Sequence, residues 1–108
     1  MIRFPLLAFC ALLLAPVSTL WGQAFTGTIS GIVTDPNAAA VPNATVRARN
    51  ESTNDVRTAT TTGEGLYVFS QLPPGSYEVT VEMKGFRKSV QTGAALRVNQ
   101  TLELNIVL

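Results

Sequence analysis

Seven carboxylates, Asp35, Glu51, Asp55, Glu64, Glu78, Glu82 and Glu103, are the side chains of this sequence best equipped to move a proton or hold a cation. Histidine is missing altogether, and the one cysteine is Cys10. That removes the usual general base, the commonest metal ligand and any Ser–His or Cys–His nucleophile pair. Zinc would have to rest on carboxylates alone, a poor match to its nitrogen- and sulfur-rich sites. Paired carboxylates can hydrolyse a glycoside only when they stand within about 5–9.5 Å of each other. Glu78 and Glu82 fall four residues apart on one strand face, about 13 Å by strand rise, and so read as a solvated outer face. Asp35 and Glu64 fall in turns, where short acceptors hold backbone amides; a calcium ion is the alternative chemistry there. The sequence therefore predicts a chain without enzymatic activity, cofactor or metal.

Binding is the remaining class of function. Sugar sites combine exposed aromatic platforms with convergent polar groups. Tyr67, Phe69 and Tyr77 occupy core-parity positions, and Trp21 lies in the leading segment. That leaves Phe86, beside a turn, and Phe25. Lys84, Arg87 and Lys88 cluster around Phe86, so Phe86, Lys84 and Arg87 are the candidate ligand-binding residues, with a solvated loop as the simpler reading. From Phe25 onward Arg47, Arg49, Arg57, Lys84, Arg87, Lys88 and Arg97 balance the seven carboxylates. A neutral surface excludes nucleic acid as the expected partner.

The elements that must carry these residues are strands. Glu64 to Glu82 shows it best: Tyr67 and Phe69 alternate before a Leu72-Pro73-Pro74-Gly75 connector, and Tyr77, Val79 and Val81 alternate after it. Period-two alternation marks a sheet with one buried face. The prolines donate no ladder hydrogen bond, which puts the connector outside the ladder. Seven segments follow the same logic: Thr28 to Thr34, Ala44 to Arg49, Val56 to Thr62, Leu66 to Ser70, Ser76 to Met83, Phe86 to Thr92 and Thr101 to Leu108. Gly93 to Gln100 reads as a connector that seats Leu96 or Val98 on the core. Val33, Val46, Tyr67, Phe69, Leu72, Tyr77, Val79, Val81, Leu102, Leu104 and Ile106 are the predicted core. Short strands at regular spacing predict an all-β, seven-stranded Greek-key β-sandwich.

Residues 1–24 have a different composition. Arg3, the apolar run Leu6 to Leu14, Pro16 and Gly22-Gln23-Ala24 follow the order of a secretory signal peptide. The run is short for a ~30 Å hydrocarbon core, which disfavours a membrane anchor. Cleavage is expected between Ala24 and Phe25, leaving residues 25–108 as one domain. Cys10 would leave with the signal, and the exported chain would carry no disulfide.

Ile29-Ser30-Gly31-Ile32-Val33-Thr34-Asp35, Val41-Pro42-Asn43-Ala44-Thr45-Val46, Gly65-Leu66-Tyr67-Val68-Phe69, Leu72-Pro73-Pro74-Gly75-Ser76-Tyr77 and Lys84-Gly85-Phe86 together resemble the carboxypeptidase regulatory-like domain. This is a family of transthyretin-like, starch-binding-domain-like sandwiches with a carbohydrate-binding-like fold. The resemblance covers about Gly27 to Val107. It implies an accessory domain rather than a peptidase. Hydroxyisourate hydrolase shares the shape but depends on histidines that this chain lacks. The family pattern Thr-Asp-x-x-Gly has Gly63 in place of its Asp here, with Glu64 beside it as the substitute. The Ala38-Ala39-Ala40 loop, the threonine-rich third strand and the Lys-Gly-Phe turn look most like the N-terminal extensions of bacterial TonB-dependent outer-membrane receptors. That subgroup implies an exported interaction or spacer module, in the periplasm or at the outer membrane. Its partner would be a protein or an adjacent receptor domain, with carbohydrate as the alternative. A pilin-like adhesin repeat is also similar, but its lysine–asparagine crosslink has no lysine near Asn105 on the first strand.

Overall fold

Alternating side chains make two sheets that pack face to face. The computed structural model describes residues 25–108; Arg3, Cys10, Trp21 and the expected cleavage site lie outside or at the edge of that range. Eight strands follow in order: β1 Gly27–Thr34, β2 Thr45–Asn50, β3 Val56–Thr60, β4 Leu66–Leu72, β5 Gly75–Glu82, β6 Ser89–Leu96, β7 Thr101–Glu103 and β8 Ile106–Val107. One sheet has the order β4-β1-β7, with β8 also on β1; the other is β3-β2-β5-β6. Up to β7, only β2–β3 and β5–β6 join sequence neighbours within a sheet. Every other connection up to β7 passes from one sheet to the other, which holds the two layers together covalently as well as by packing.

The core is the one that parity dictates. Val33, Val46, Tyr67, Phe69, Leu72, Tyr77, Val79, Val81 and Ile106 are buried, together with Ile29, Val41, Ala44, Ala48 and Leu96. Leu102 and Leu104 are half-buried and pack on its margin. The two tyrosines place their rings in the core and use their hydroxyls at its rim. Tyr77 donates to the Pro73 carbonyl at 2.6 Å, tying the Pro-Pro connector back to the strand that follows it. Tyr67 donates to the Leu104 carbonyl and packs edge-on against Phe69 at 5.9 Å.

Leu72 pairs with Gly27 and Gly75 with Leu96, so of the expected connector only Pro73 and Pro74 lie outside the ladders. Three further features depart from the expected segments. The seventh segment is two strands, because the chain leaves the ladder at Leu104 and Asn105. There the Asn105 side-chain oxygen accepts the Ile32 N–H at 3.0 Å, supplying the acceptor that a continuous strand would have offered. β7 and β8 both run parallel to β1. The sixth strand starts at Ser89 rather than Phe86 and runs through Gly93 to Leu96. Gly93, with φ of 71°, does not end the strand. Tyr77 pairs with Ala94 and Val79 with Gln91, so one extra residue bulges out of β6 and pairing resumes beyond it. Third, Thr61 lies past the end of β3 and is buried. Its hydroxyl accepts the Ala44 N–H at 2.8 Å and donates to the Val41 carbonyl at 2.7 Å, which satisfies two backbone groups that burial would otherwise leave unpaired.

Burial pushes the Tyr67 phenol up to about 12, against about 10 in an unfolded chain. The folded state thus favours the protonated phenol. Its contribution is complete below pH 10 and is lost as pH rises from 10 towards 12, where only the unfolded chain releases the proton. Denaturant midpoints measured between pH 8 and 12 are expected to fall above pH 10, and Tyr67→Phe to flatten that part of the fall. An unchanged alkaline slope in the variant would place the titration elsewhere.

Candidate functional site

The turn from β5 to β6 builds an open groove of about 560 Å³ lined by Asn43, Thr45, Glu82, Met83, Lys84, Phe86 and Lys88. Gly85, with φ of 91°, lets the chain reverse, and the Phe86 N–H closes the turn on the Met83 carbonyl at 3.0 Å. Thr45 pairs with Glu82 across β2 and β5, which sets one wall. The Asn43 N–H donates to the Thr61 carbonyl at 3.1 Å, which fixes the loop that overhangs it. Glu82 is held by Arg47 at 3.0 Å and Lys88 at 3.7 Å.

Of the three residues singled out in the sequence, Lys84 and Phe86 line this groove together, whereas Arg87 is exposed beside it without contributing to the lining. Phe86 is 38% exposed, so part of its ring is available at the groove. The groove offers ammonium donors, one carboxylate and small polar groups around an apolar edge of Phe86 and Met83. That set can hold a polar ligand by hydrogen bonds and contact. It contains a single carboxylate and no activated nucleophile, so it lacks the parts for covalent or paired-carboxylate hydrolysis.

Three of the other carboxylates, Asp35, Glu51 and Glu78, are engaged in local structure. Asp35 accepts the Asn37 and Ala39 N–H groups at 2.8 and 3.0 Å, which shapes the alanine loop. In the Gly63-Glu64 turn, the Thr62 hydroxyl accepts the Glu64 and Leu66 N–H groups at 3.3 and 3.2 Å. A neutral side chain thus holds the turn in which the family pattern places an Asp. Glu78 pairs with Arg49 at 3.3 Å on the half-buried outer face. Glu51, in the loop between β2 and β3, accepts both the Ser76 hydroxyl at 2.9 Å and the Gly93 N–H at 3.0 Å. Those two bonds, the Gly93 one foremost, hold its carboxyl below the usual range. No cluster of three or more potential metal ligands forms among the described residues. A second cavity of about 60 Å³, between Asn50, Asp55, Arg57, Leu72, Pro73 and Tyr77, has room for little more than a water or two.

The model of the carboxypeptidase regulatory-like domain matches residues 28–108. The chain belongs to this family. Among its relatives, the TonB-dependent transporter Oar of Myxococcus xanthus is 30% identical over 84 residues, which is 77% of this chain and 8% of the transporter. The carboxypeptidase regulatory-like domain described here thus spans a small part of that protein's length. A candidate carbohydrate-binding protein of Bacteroides uniformis superposes with a TM-score of 0.63 at 16% identity, over 76% of this chain and 40% of its own. The 5-hydroxyisourate hydrolase of Klebsiella pneumoniae superposes with a TM-score of 0.55 at 20% identity, over 75% and 84%. At such identities the two structures establish a common all-β sandwich fold and carry nothing about chemistry.

Proposed function

We propose that this domain is a non-catalytic, exported interaction or spacer module, built as the N-terminal extension of a TonB-dependent outer-membrane receptor and engaging a protein or an adjacent receptor domain. The observation that carries the reading is the 30% identity to the Myxococcus xanthus transporter across 77% of the chain. The order Arg3, Leu6 to Leu14, Gly22-Gln23-Ala24 supports export with residues 1–24 as a signal peptide. A balanced surface charge and a groove without paired acids or a nucleophile support binding over catalysis. Fractionation of a bacterial host expressing the chain is expected to place it in the cell envelope, with Phe25 as its first residue on N-terminal sequencing. Recovery in the cytoplasm with Met1 retained would defeat the export reading.

A second reading is carbohydrate recognition, favoured by the partly exposed Phe86 ring in a polar groove. Titration with a glycan panel separates the two. Sub-millimolar binding of an oligosaccharide, abolished by Phe86→Ala in a variant that still unfolds cooperatively, would replace the protein-partner reading and assign Phe86 and Lys84 to a sugar site.

A further inference from the structure

Sheets that end in open edges invite another strand, and proteins usually blunt those edges with charge, proline, brevity or cover. Here the edges are treated unequally. β3 and β4 lie side by side at one flank of the sandwich, where the Arg57 guanidinium donates to the Ser70 and Gln71 carbonyls at 3.3 Å each. β7 and β8 are three and two residues long and are broken by Asn105. β6 is different: it ends its sheet, it is eight residues long, and Ser89-Val90-Gln91-Thr92-Gly93-Ala94-Ala95-Leu96 contains no charge and no proline. Val90 is 49% exposed beside Thr80 on the outer face, where an added strand would cover it. Among the described residues the bulge at Gly93 is the guard within this strand, and it is pinned. Its N–H is turned onto Glu51, so the edge keeps a fixed, curved shape with short pairing halves on either side.

Charge decides what fits. From Met83 to Leu102 the chain carries Lys84, Arg87, Lys88 and Arg97 and not one carboxylate. These cations flank β6 at both ends, while Glu51 sits near its middle. We propose that the open edge of β6 is a β-augmentation site for an extended peptide segment of another polypeptide, uncharged in its middle and acidic at its ends. Main-chain hydrogen bonds supply the affinity in this mode, and the flanking charges supply the choice of partner. A second copy of this chain fits less well. Antiparallel self-pairing about the strand centre brings Lys88 opposite the second copy's Arg97, at both ends of the junction, and like charges placed directly opposite are destabilising.

The inference rests on the interaction role proposed above and is tested separately from it. The probe is the peptide Asp-Asp-Thr-Val-Thr-Val-Thr-Asp-Asp, with a lysine-flanked counterpart, titrated against the exported chain at low salt. The acidic peptide is expected to bind at least tenfold tighter than the basic one, with the gap closing as salt screens the exposed charges. Amide hydrogen exchange should slow across Ser89–Leu96. N-methylation of alternate residues along one edge of the peptide should abolish binding, and methylation along its other edge should not. Arg97→Glu should weaken the acidic peptide and strengthen the basic one. Equal affinities, or binding that leaves β6 exchange unchanged, would overturn the proposal. So would β6 protection that rises with protein concentration in the absence of peptide, which would assign the edge to self-pairing. Binding of an envelope protein with β6 unprotected would remove this site and leave the interaction role standing.

Discussion

Gly31→Ala is expected to destabilise the domain by about 3 kcal/mol or more, the upper end of what overpacking costs. Gly31 is buried in β1 opposite Tyr67. A Cβ added there would overlap the Leu104 carbonyl and come within 2.9 Å of the Tyr67 hydroxyl. Both obstacles are the two ends of one hydrogen bond, so neither can move without breaking the tie that holds the β7–β8 junction to Tyr67 of β4 across β1. The Leu104 carbonyl is backbone and cannot rotate away as a side chain would. Gly63 provides the control: an added Cβ there meets nothing within 4 Å, and Gly63→Ala is expected to be neutral or to stabilise by up to about 1 kcal/mol through the unfolded chain. Urea midpoints of the two variants check the pair. Equal midpoints would mean that β1 and the β7–β8 junction are not packed as described.

The importance of Gly31 was not visible in the sequence, and the reason is the same one that hid the split of the last strand. Leu102, Leu104, Ile106 and Leu108 alternate without a break, and alternation reports which face a residue takes, not whether the backbone stays in the ladder. The break depends on long-range groups: a glycine and a tyrosine from β1 and β4, and an asparagine whose amide stands in for a carbonyl. β6 departs from its expected span for a related reason. Gly93 reads as a stop, yet at positive φ it makes a bulge, and only the Glu51 carboxylate that receives its N–H distinguishes the two. Where a face was strictly periodic, as in Val79 and Val81 or Tyr67 and Phe69, the core assignment followed directly. The candidate groove was half legible. That Phe86 and Lys84 share a surface is legible because an aromatic and a cation meet at a glycine turn. Asn43, Thr45 and Glu82 reach the same place through sheet pairing, which local sequence does not encode. The buried Thr61 carried no signal at all, since threonine in a threonine-rich stretch reads as exposed.

Tyr77→Ala is expected to cost about 3–5 kcal/mol, the range for deleting a fully buried aromatic ring. Tyr77 is 2% exposed and is among the largest wholly buried side chains. It stands on β5 opposite Asn50 of β2 and Ala94 of β6, so its loss opens a cavity at the meeting of three strands and releases the Pro73 carbonyl. Stabilities of small domains run from about 5 kcal/mol upward, and a loss of this size brings the variant close to unfolding at ordinary temperatures. Tyr77→Phe separates the two contributions. It keeps the ring and loses only the hydrogen bond, and since Pro73 is exposed its carbonyl can turn to water, so the cost is about 1 kcal/mol. The neighbouring Glu78 sets the scale for the opposite face: its ion pair with Arg49 is partly solvated, and Glu78→Ala is expected to change stability by no more than about 1 kcal/mol. Thermal unfolding of the three variants orders them as Tyr77→Ala far below Tyr77→Phe, with Glu78→Ala close to the parent. Should Glu78→Ala prove more damaging than Tyr77→Ala, β5 would present its other face to the core. The Thr45–Glu82 wall of the groove and the Val90 face of β6, which both depend on that face, would then have to be reassigned.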